Sequence, residues 1–163
     1  MGIFTSAASL FGIGTQSGHN GKDEETVEPG SKPTVLVIDD DAKFLETMRI
    51  LLGGAGYGVL TSNTGPKGLD MLRYGPRDVA VVLLDFNMPR FNGADTLEYL
   101  RKLNGQVKVI AVSGLKANEL PLGFQEGVDR FIAKPFRNGE LLEAIQEVLG
   151  GNSETEPAAS VSA

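Results

Sequence analysis

Between residues 33 and 150, short continuous apolar runs take turns with stretches whose apolar positions recur every three or four residues. Val35-Leu36-Val37-Ile38 has three β-branched residues in four and no polar alternation, the form of a strand covered on both faces. Phe44, Leu45, Met48, Leu51 and Leu52 follow at helical spacing, with Gly53-Gly54 as the expected stop. A second strand is expected over residues 57–61, then a helix over 65–73 carrying Leu69 and Leu72. The most apolar run, Val79 to Leu84, predicts a third strand, and residues 94–103, with Leu97 and Leu100, a third helix. Residues 107–112 read as a fourth strand and 128–133 as a fifth. Residues 138–149 read as a final helix with Leu141, Leu142, Ile145 and Val148 on one face. The helical signal of residues 117–125 is weak, because Pro121 and Gly123 interrupt it.

Five strand–helix units in succession argue for the α/β class: a doubly wound, five-stranded parallel sheet with helices on both faces. Ligands of such folds bind beyond the carboxyl ends of the strands, so the residues that end the strands are the candidates. The first strand ends in Asp39-Asp40-Asp41 and the third in Asp85, followed by Phe86-Asn87-Met88-Pro89. The fourth ends in Ser113-Gly114 and the fifth in Lys134-Pro135. Crowded carboxylates repel unless a cation stands between them, and a partly hydrated site of oxygen ligands suits Mg²⁺. Lys134 and Ser113 add a mobile positive charge and a hydroxyl donor, both suited to an anion beside the metal. The combination fits phosphoryl transfer, with Asp85 as the candidate acceptor. Singly, each feature has a plainer reading. An acidic triplet after a strand is a helix N-cap with favourable first-turn charge, and Ser-Gly or Met-Pro shapes a turn. Their joint occurrence, in order, at four strand ends favours a site.

Composition narrows the chemistry. With no Cys, and His19 as the only histidine, disulfides, thiolate or His-pair metal sites and cysteine nucleophiles are excluded. The net charge of −6 is spread as two excess acids in each of residues 1–32, 33–150 and 151–163. Without a basic block the chain is a poor fit to a phosphate backbone, so no direct nucleic-acid contact is expected. No run approaches the ~18 apolar residues of a membrane span, and the N-terminus lacks the basic start and apolar centre of a secretory signal. The expected location is cytoplasmic. Residues 1–32 and 151–163, rich in Gly, Ser and other polar residues, read as flexible extensions around one domain at 33–150. Within the first, Ile3, Phe4, Ala7, Leu10 and Phe11 form a short apolar stripe at helical spacing that docks on a partner, lies on a membrane surface, or does nothing.

The motifs Val-Leu-Val-Ile-Asp-Asp-Asp, Leu-Leu-Asp-Phe-Asn-Met-Pro-Arg-Phe-Asn-Gly, Val-Ser-Gly and Phe-Ile-Ala-Lys-Pro-Phe together resemble the receiver domain of two-component response regulators, over residues 33–150. The resemblance implies a CheY-like, flavodoxin-like sheet of order 2-1-3-4-5 flanked by five helices. It implies Asp85 as the phosphoryl-accepting aspartate, Asp40 as a direct Mg²⁺ ligand, Asp39 as the acid that holds the metal, often through water, and Asn87 as a backbone carbonyl ligand. Ser113 corresponds to the switch hydroxyl and Phe131 to the aromatic residue whose rotamer follows it. Lys134 corresponds to the lysine that contacts the acceptor and then the phosphoryl oxygen, and Pro135 to the proline after a cis bond. Asp41 reads as an N-cap and not as a ligand.

The implied partners are a sensor histidine kinase or phosphotransfer protein, whose phosphohistidine supplies the phosphoryl group, and a downstream protein target. The implied product is a phosphoacceptor with self-catalysed phosphorylation and dephosphorylation, not a conventional enzyme, as a monomer or a dimer formed on phosphorylation. No output domain follows residue 150, so the expectation is a stand-alone receiver. The chain departs from the family at Pro121 and Gly123, which shorten or bend the fourth helix. It departs again at Phe131, which lacks a tyrosine hydroxyl, and at Leu115, apolar where the family tunes dephosphorylation. Two alternatives stand beside this reading. One is a receiver-fold scaffold that works without phosphorylation. The other is an aspartate-dependent phosphatase of the haloacid-dehalogenase type, whose nucleophile motif Asp39-x-Asp41 mimics but which leaves Asp85 without a role.

Overall fold

The computed structural model describes residues 32–75 and 78–150; the N-terminal stripe, His19 and the C-terminal extension lie outside the described residues. Strands β1 (Lys32–Ile38), β2 (Tyr57–Ser62), β3 (Val79–Asp85), β4 (Lys108–Ser113) and β5 (Arg130–Ala133) form one parallel sheet in the order β2-β1-β3-β4-β5. Helices α1 (Ala42–Gly54), α2 (Gly65–Tyr74), α3 (Gly93–Leu103), α4 (Leu122–Gly127) and α5 (Asn138–Val148) complete the βα alternation. Among the described residues no helix is long and apolar enough to cross a membrane.

The apolar strands alternate between two cores, because successive strand side chains point to opposite faces. Val35, Val37, Val81, Leu83, Ile110 and Val112 meet α1 and α5 through Leu45, Met48, Leu52, Leu141 and Ile145. Leu36, Ile38, Val82, Leu84, Val109 and Ala111 meet α2, α3 and α4 through Leu69, Leu97, Leu100 and Phe124. Each fully buried aliphatic side chain stabilises the fold by about 1.5–3 kcal/mol. Continuous apolar runs, not alternating ones, therefore mark the central strands, as a sheet covered on both faces requires.

Side-chain caps start three helices. Asp41 accepts from the backbone N–H groups of Lys43 and Phe44, Thr64 from that of Lys67, and Asn92 from that of Asp95. Three expected boundaries move. Gly53-Gly54 does not stop α1; the helix runs through both and the chain turns at Gly56, whose φ of 87° is the left-handed conformation that glycine adopts without strain. Pro121 does not break α4 but precedes it, its carbonyl accepting from Phe124 and Gln125 N–H, a place where a missing N–H costs nothing. A single 3₁₀ turn at Ala117–Glu119 replaces the front of the expected helix, and α4 is short, six residues, held down by buried Phe124. β5 begins at Arg130 and not at Val128, because Asp129 is drawn aside: its N–H donates to Val109 O, and its carboxylate accepts from Arg101 and Lys108.

In-register pairing of Ile38 with Leu84, Asp85 with Val112, and Ser113 with Ala133 brings the carboxyl ends of β1, β3, β4 and β5 level with one another. The polar residues that follow those strands therefore share one edge of the sheet.

Candidate functional site

At that edge Asp39, the residue after β1, and Asp85, the last of β3, are almost fully enclosed, 2% and 5% exposed. The two carboxylates are held alike. One oxygen of each accepts the backbone N–H two residues on: Asp41 N–H to Asp39 Oδ1 at 2.9 Å, and Asn87 N–H to Asp85 Oδ2 at 2.8 Å. The other oxygen of each accepts from the Lys134 ammonium, at 2.6 Å for Asp39 Oδ2 and 3.0 Å for Asp85 Oδ1. Lys134 reaches them from the turn after β5, where the Lys134–Pro135 peptide bond is cis and the Lys134 N–H donates to Ser113 O. Asp40 is exposed, and carboxylate oxygens of Asp39, Asp40 and Asp85 all lie within 4.8 Å of one another.

Burial pushes the Asp85 carboxyl above the usual carboxylate range; Lys134 pulls it back and the Asp39 charge adds to the rise. Burial works against the Lys134 ammonium as well, but its hydrogen bonds to Asp39 and Asp85 outweigh that cost and hold its proton more firmly than usual. A carboxylate made more basic in this way is the better nucleophile once ionised. Three carboxylates face a single ammonium, which leaves two negative charges over, the charge of one divalent cation. The donors are all oxygen, one of them exposed to water, and this set suits Mg²⁺.

The other candidates fall around this cluster. Ser113 ends β4 fully buried, its Oγ accepting Leu115 N–H at 3.2 Å, so its hydroxyl is turned into its own loop. Phe131, half-buried in β5, packs against the core on the α2–α4 side. Asn87 lies in the β3–α3 loop, which closes tightly: Gly93 N–H donates to Phe86 O, and a Cβ on Gly93 would stand 2.5 Å from Asp85 O. Phe86, next to Asp85, stacks edge-on against Phe124 of α4, with ring centroids 5.0 Å apart. Asp41 serves as the cap of α1, its Oδ1 accepting from the N–H groups of Lys43 and Phe44.

Sequence reasoning passed over one residue. Phe44, which its spacing marks only as a core position of α1, lies with its ring face 4.2 Å from Lys134 Nζ. The only signal for it was its place in the first turn after the acidic triplet.

The chain is similar to known proteins. The family model for the response regulator receiver domain matches residues 35–146. The DNA-binding response regulator MtrA of Mycolicibacterium paratuberculosis is 34% identical over 128 residues, covering 78% of this chain and 56% of that protein. The transcriptional regulatory protein CpxR of Escherichia coli is 34% identical over 117 residues, 71% of this chain and 48% of that one. The chain thus spans about half the length of the curated relatives it matches. Among solved structures, response regulator protein TrrA from Thermotoga maritima, in complex with Mg²⁺-BeF, superposes with a TM-score of 0.65 at 25% identity, over 72% of this chain and 99% of that one.

Proposed function

The chain belongs to the response regulator receiver domain family, and from that premise we propose that it is a phosphorylation switch whose acceptor is Asp85. The observation that carries this reading is the Lys134 ammonium bridging two buried carboxylates, with a third within reach, at the carboxyl edge of a parallel sheet. The donor is the phosphohistidine of a sensor histidine kinase or phosphotransfer protein, or a small acyl phosphate. An Asp85 oxygen attacks phosphorus in line; the new O–P bond forms as the donor's N–P bond, or O–P bond in the acyl phosphate, breaks, and the electron pair of that bond stays on the leaving imidazole or carboxylate.

Asp39, Asp40, Asp85 and the Asn87 carbonyl are the residues that would hold Mg²⁺, which when bound neutralises charge on the phosphoryl oxygens. Lys134, already beside Asp85, faces the same developing charge from the protein side. Ser113 uses an oxygen lone pair on Leu115 N–H, so its own O–H proton is available to a phosphoryl oxygen. Its movement toward that oxygen opens space on the sheet edge, and Phe131, packed without a hydroxyl to anchor it, follows into it. The surface of α4, β5 and α5 then shifts between two populations that differ in affinity for a downstream partner. With acids in excess over residues 33–150, that partner is read as protein and not nucleic acid. Loss of the phosphoryl group to water at the same site resets the switch.

Intact mass after incubation with acetyl phosphate and Mg²⁺ tests the reading. One added phosphoryl group, about 80 Da, is expected in the wild type, and none in Asp85→Asn or with chelator present. If no adduct forms and beryllofluoride with Mg²⁺ leaves the spectrum of the protein unchanged, the phosphoacceptor reading is wrong and the scaffold takes its place.

A further inference from the structure

The carboxylates constrain the Lys134 ammonium on one side only. Two of its three protons are taken by Asp39 Oδ2 and Asp85 Oδ1, while its side chain, reaching in from a turn, is 27% exposed as a whole. Phe44 also stands against the ammonium, its ring centroid 4.2 Å from Nζ. Its place follows from the sequence immediately before it. Asp39 accepts from Asp41 N–H, Asp41 in turn caps α1 by accepting from Lys43 and Phe44 N–H, and the first turn of the helix is thereby pinned to the acidic cluster. The Phe44 ring is set a second time from the segment between β5 and α5: it meets Phe136 edge-on, centroids 6.1 Å apart and planes at 88°. Phe136 lies two residues beyond Lys134, so the ring touches both the lysine and the turn that carries it.

We propose that Phe44 is a positioning residue for Lys134: its ring face, 4.2 Å from Nζ, holds the ammonium at the carboxylates and stops the stem from swinging into solvent. An aromatic face suits this task because it attracts the cation without offering a lone pair. The ammonium is held in place while its third proton stays uncommitted for an incoming phosphoryl oxygen. A leucine at the same place fills the space but leaves the stem free to leave it. This inference rests on the phosphoacceptor reading only for its consequence in transfer; the placement of Lys134 stands on geometry alone.

The test compares the full chain as wild type, Phe44→Tyr and Phe44→Leu. In the Mg²⁺-free protein the Lys134 side-chain methylene next to Nζ should resonate upfield through the ring current of Phe44. The shift is expected to persist in Phe44→Tyr and vanish in Phe44→Leu. Phosphoryl uptake from saturating acetyl phosphate and Mg²⁺ should be about three- to fivefold slower in Phe44→Leu and restored in Phe44→Tyr, the size of one exposed-to-half-buried cation–π contact. An unshifted Lys134 resonance in wild type, or wild-type uptake by Phe44→Leu, overturns the proposal and leaves Phe44 as packing. A wild type that takes up no phosphoryl group overturns the acceptor reading instead, and the Lys134 resonance still decides the placement.

Discussion

The Lys134 ammonium stands 3.0 Å from Asp85 Oδ1 and so ties the end of β5 to the end of β3, with β4 between them in the sheet. Its bond to Asp39 brings β1 into the same knot, so one cation gathers three strand ends. Replacing it by methionine keeps the stem and removes the charge. Asp39 and Asp85 are then left enclosed and facing one another, and a buried pair broken on one side is costly. For Lys134→Met, urea denaturation at pH 7 with chelator should show a loss of about 2–3 kcal/mol, smaller than a fully buried pair because the stem is partly solvated. Phosphoryl uptake should fall at least about tenfold. Metal-free stability equal to the wild type would mean that the ammonium has no net weight in the fold.

The surplus negative charge predicts a response to Mg²⁺ itself. A ligand bound only by the folded state, at ten times its Kd, stabilises by about 1.4 kcal/mol, and the thermal midpoint of the wild type should rise accordingly. Asp40 separates this effect from folding, because it is exposed and has no bond to Lys134 among the described residues. Asp40→Asn should therefore keep its metal-free stability within about 0.5 kcal/mol and lose the response to Mg²⁺. If Asp40→Asn responds as the wild type does, the metal is held elsewhere.

Much of this was legible in the chain because strand ends are written in composition: an apolar run stops where a carboxylate, hydroxyl or lysine begins. Asp39, Asp85, Ser113 and Lys134 were found that way, and the sheet then had only to bring them level. What spacing does not encode is which side chains meet across the fold. Phe44 has the periodicity of any core residue of α1, and only the β5 turn places a cation over its ring. The Asp129 clamp joins Arg101 and Lys108, 28 and 21 residues away, and displaces the start of β5 that an apolar count puts at Val128. Gly53-Gly54 misled for another reason. The weak helix propensity of two glycines is overridden by buried Met48 and Leu52 in the same helix, and the stop falls at Gly56, where a positive φ is needed.

Two glycines predict opposite outcomes for the same substitution. A Cβ on Gly93 would lie 2.5 Å from Asp85 O and 2.7 Å from Phe86 Cα, backbone atoms where β3 passes into the loop that follows it. Gly93→Ala should cost about 2–3 kcal/mol and slow phosphoryl uptake as Asp85 is displaced. Gly123, inside α4, has nothing within 4 Å of the same position. Gly123→Ala should stabilise by about 0.5–1 kcal/mol through reduced freedom of the unfolded chain. Equal effects in urea denaturation would show that the β3–α3 loop yields to the added methyl.

Asp129 provides the acid limb of stability. Burial raises its carboxyl, but Val109 N–H, Lys108 and Arg101 outweigh burial and hold it below the ordinary value of 3.8. With the folded value below the unfolded one, the folded state binds fewer protons as Asp129 titrates. Its contribution is therefore present above the unfolded value and is lost as pH falls through the folded one. Asp129→Asn removes the charge and leaves Arg101 its bonds to the carbonyls of Val107 and Gly127, while Lys108 loses its ion pair but stays solvated. Its deficit at pH 7 should be about 1–2 kcal/mol, as expected for charge-assisted hydrogen bonds at a partly solvated site. Measured by urea denaturation as a function of pH, the wild type should descend toward the variant as acid is added. The two curves should converge below 3.8, once Asp129 in the wild type is itself protonated. A constant offset at every pH would mean that shape, and not the Asp129 charge, carries the difference.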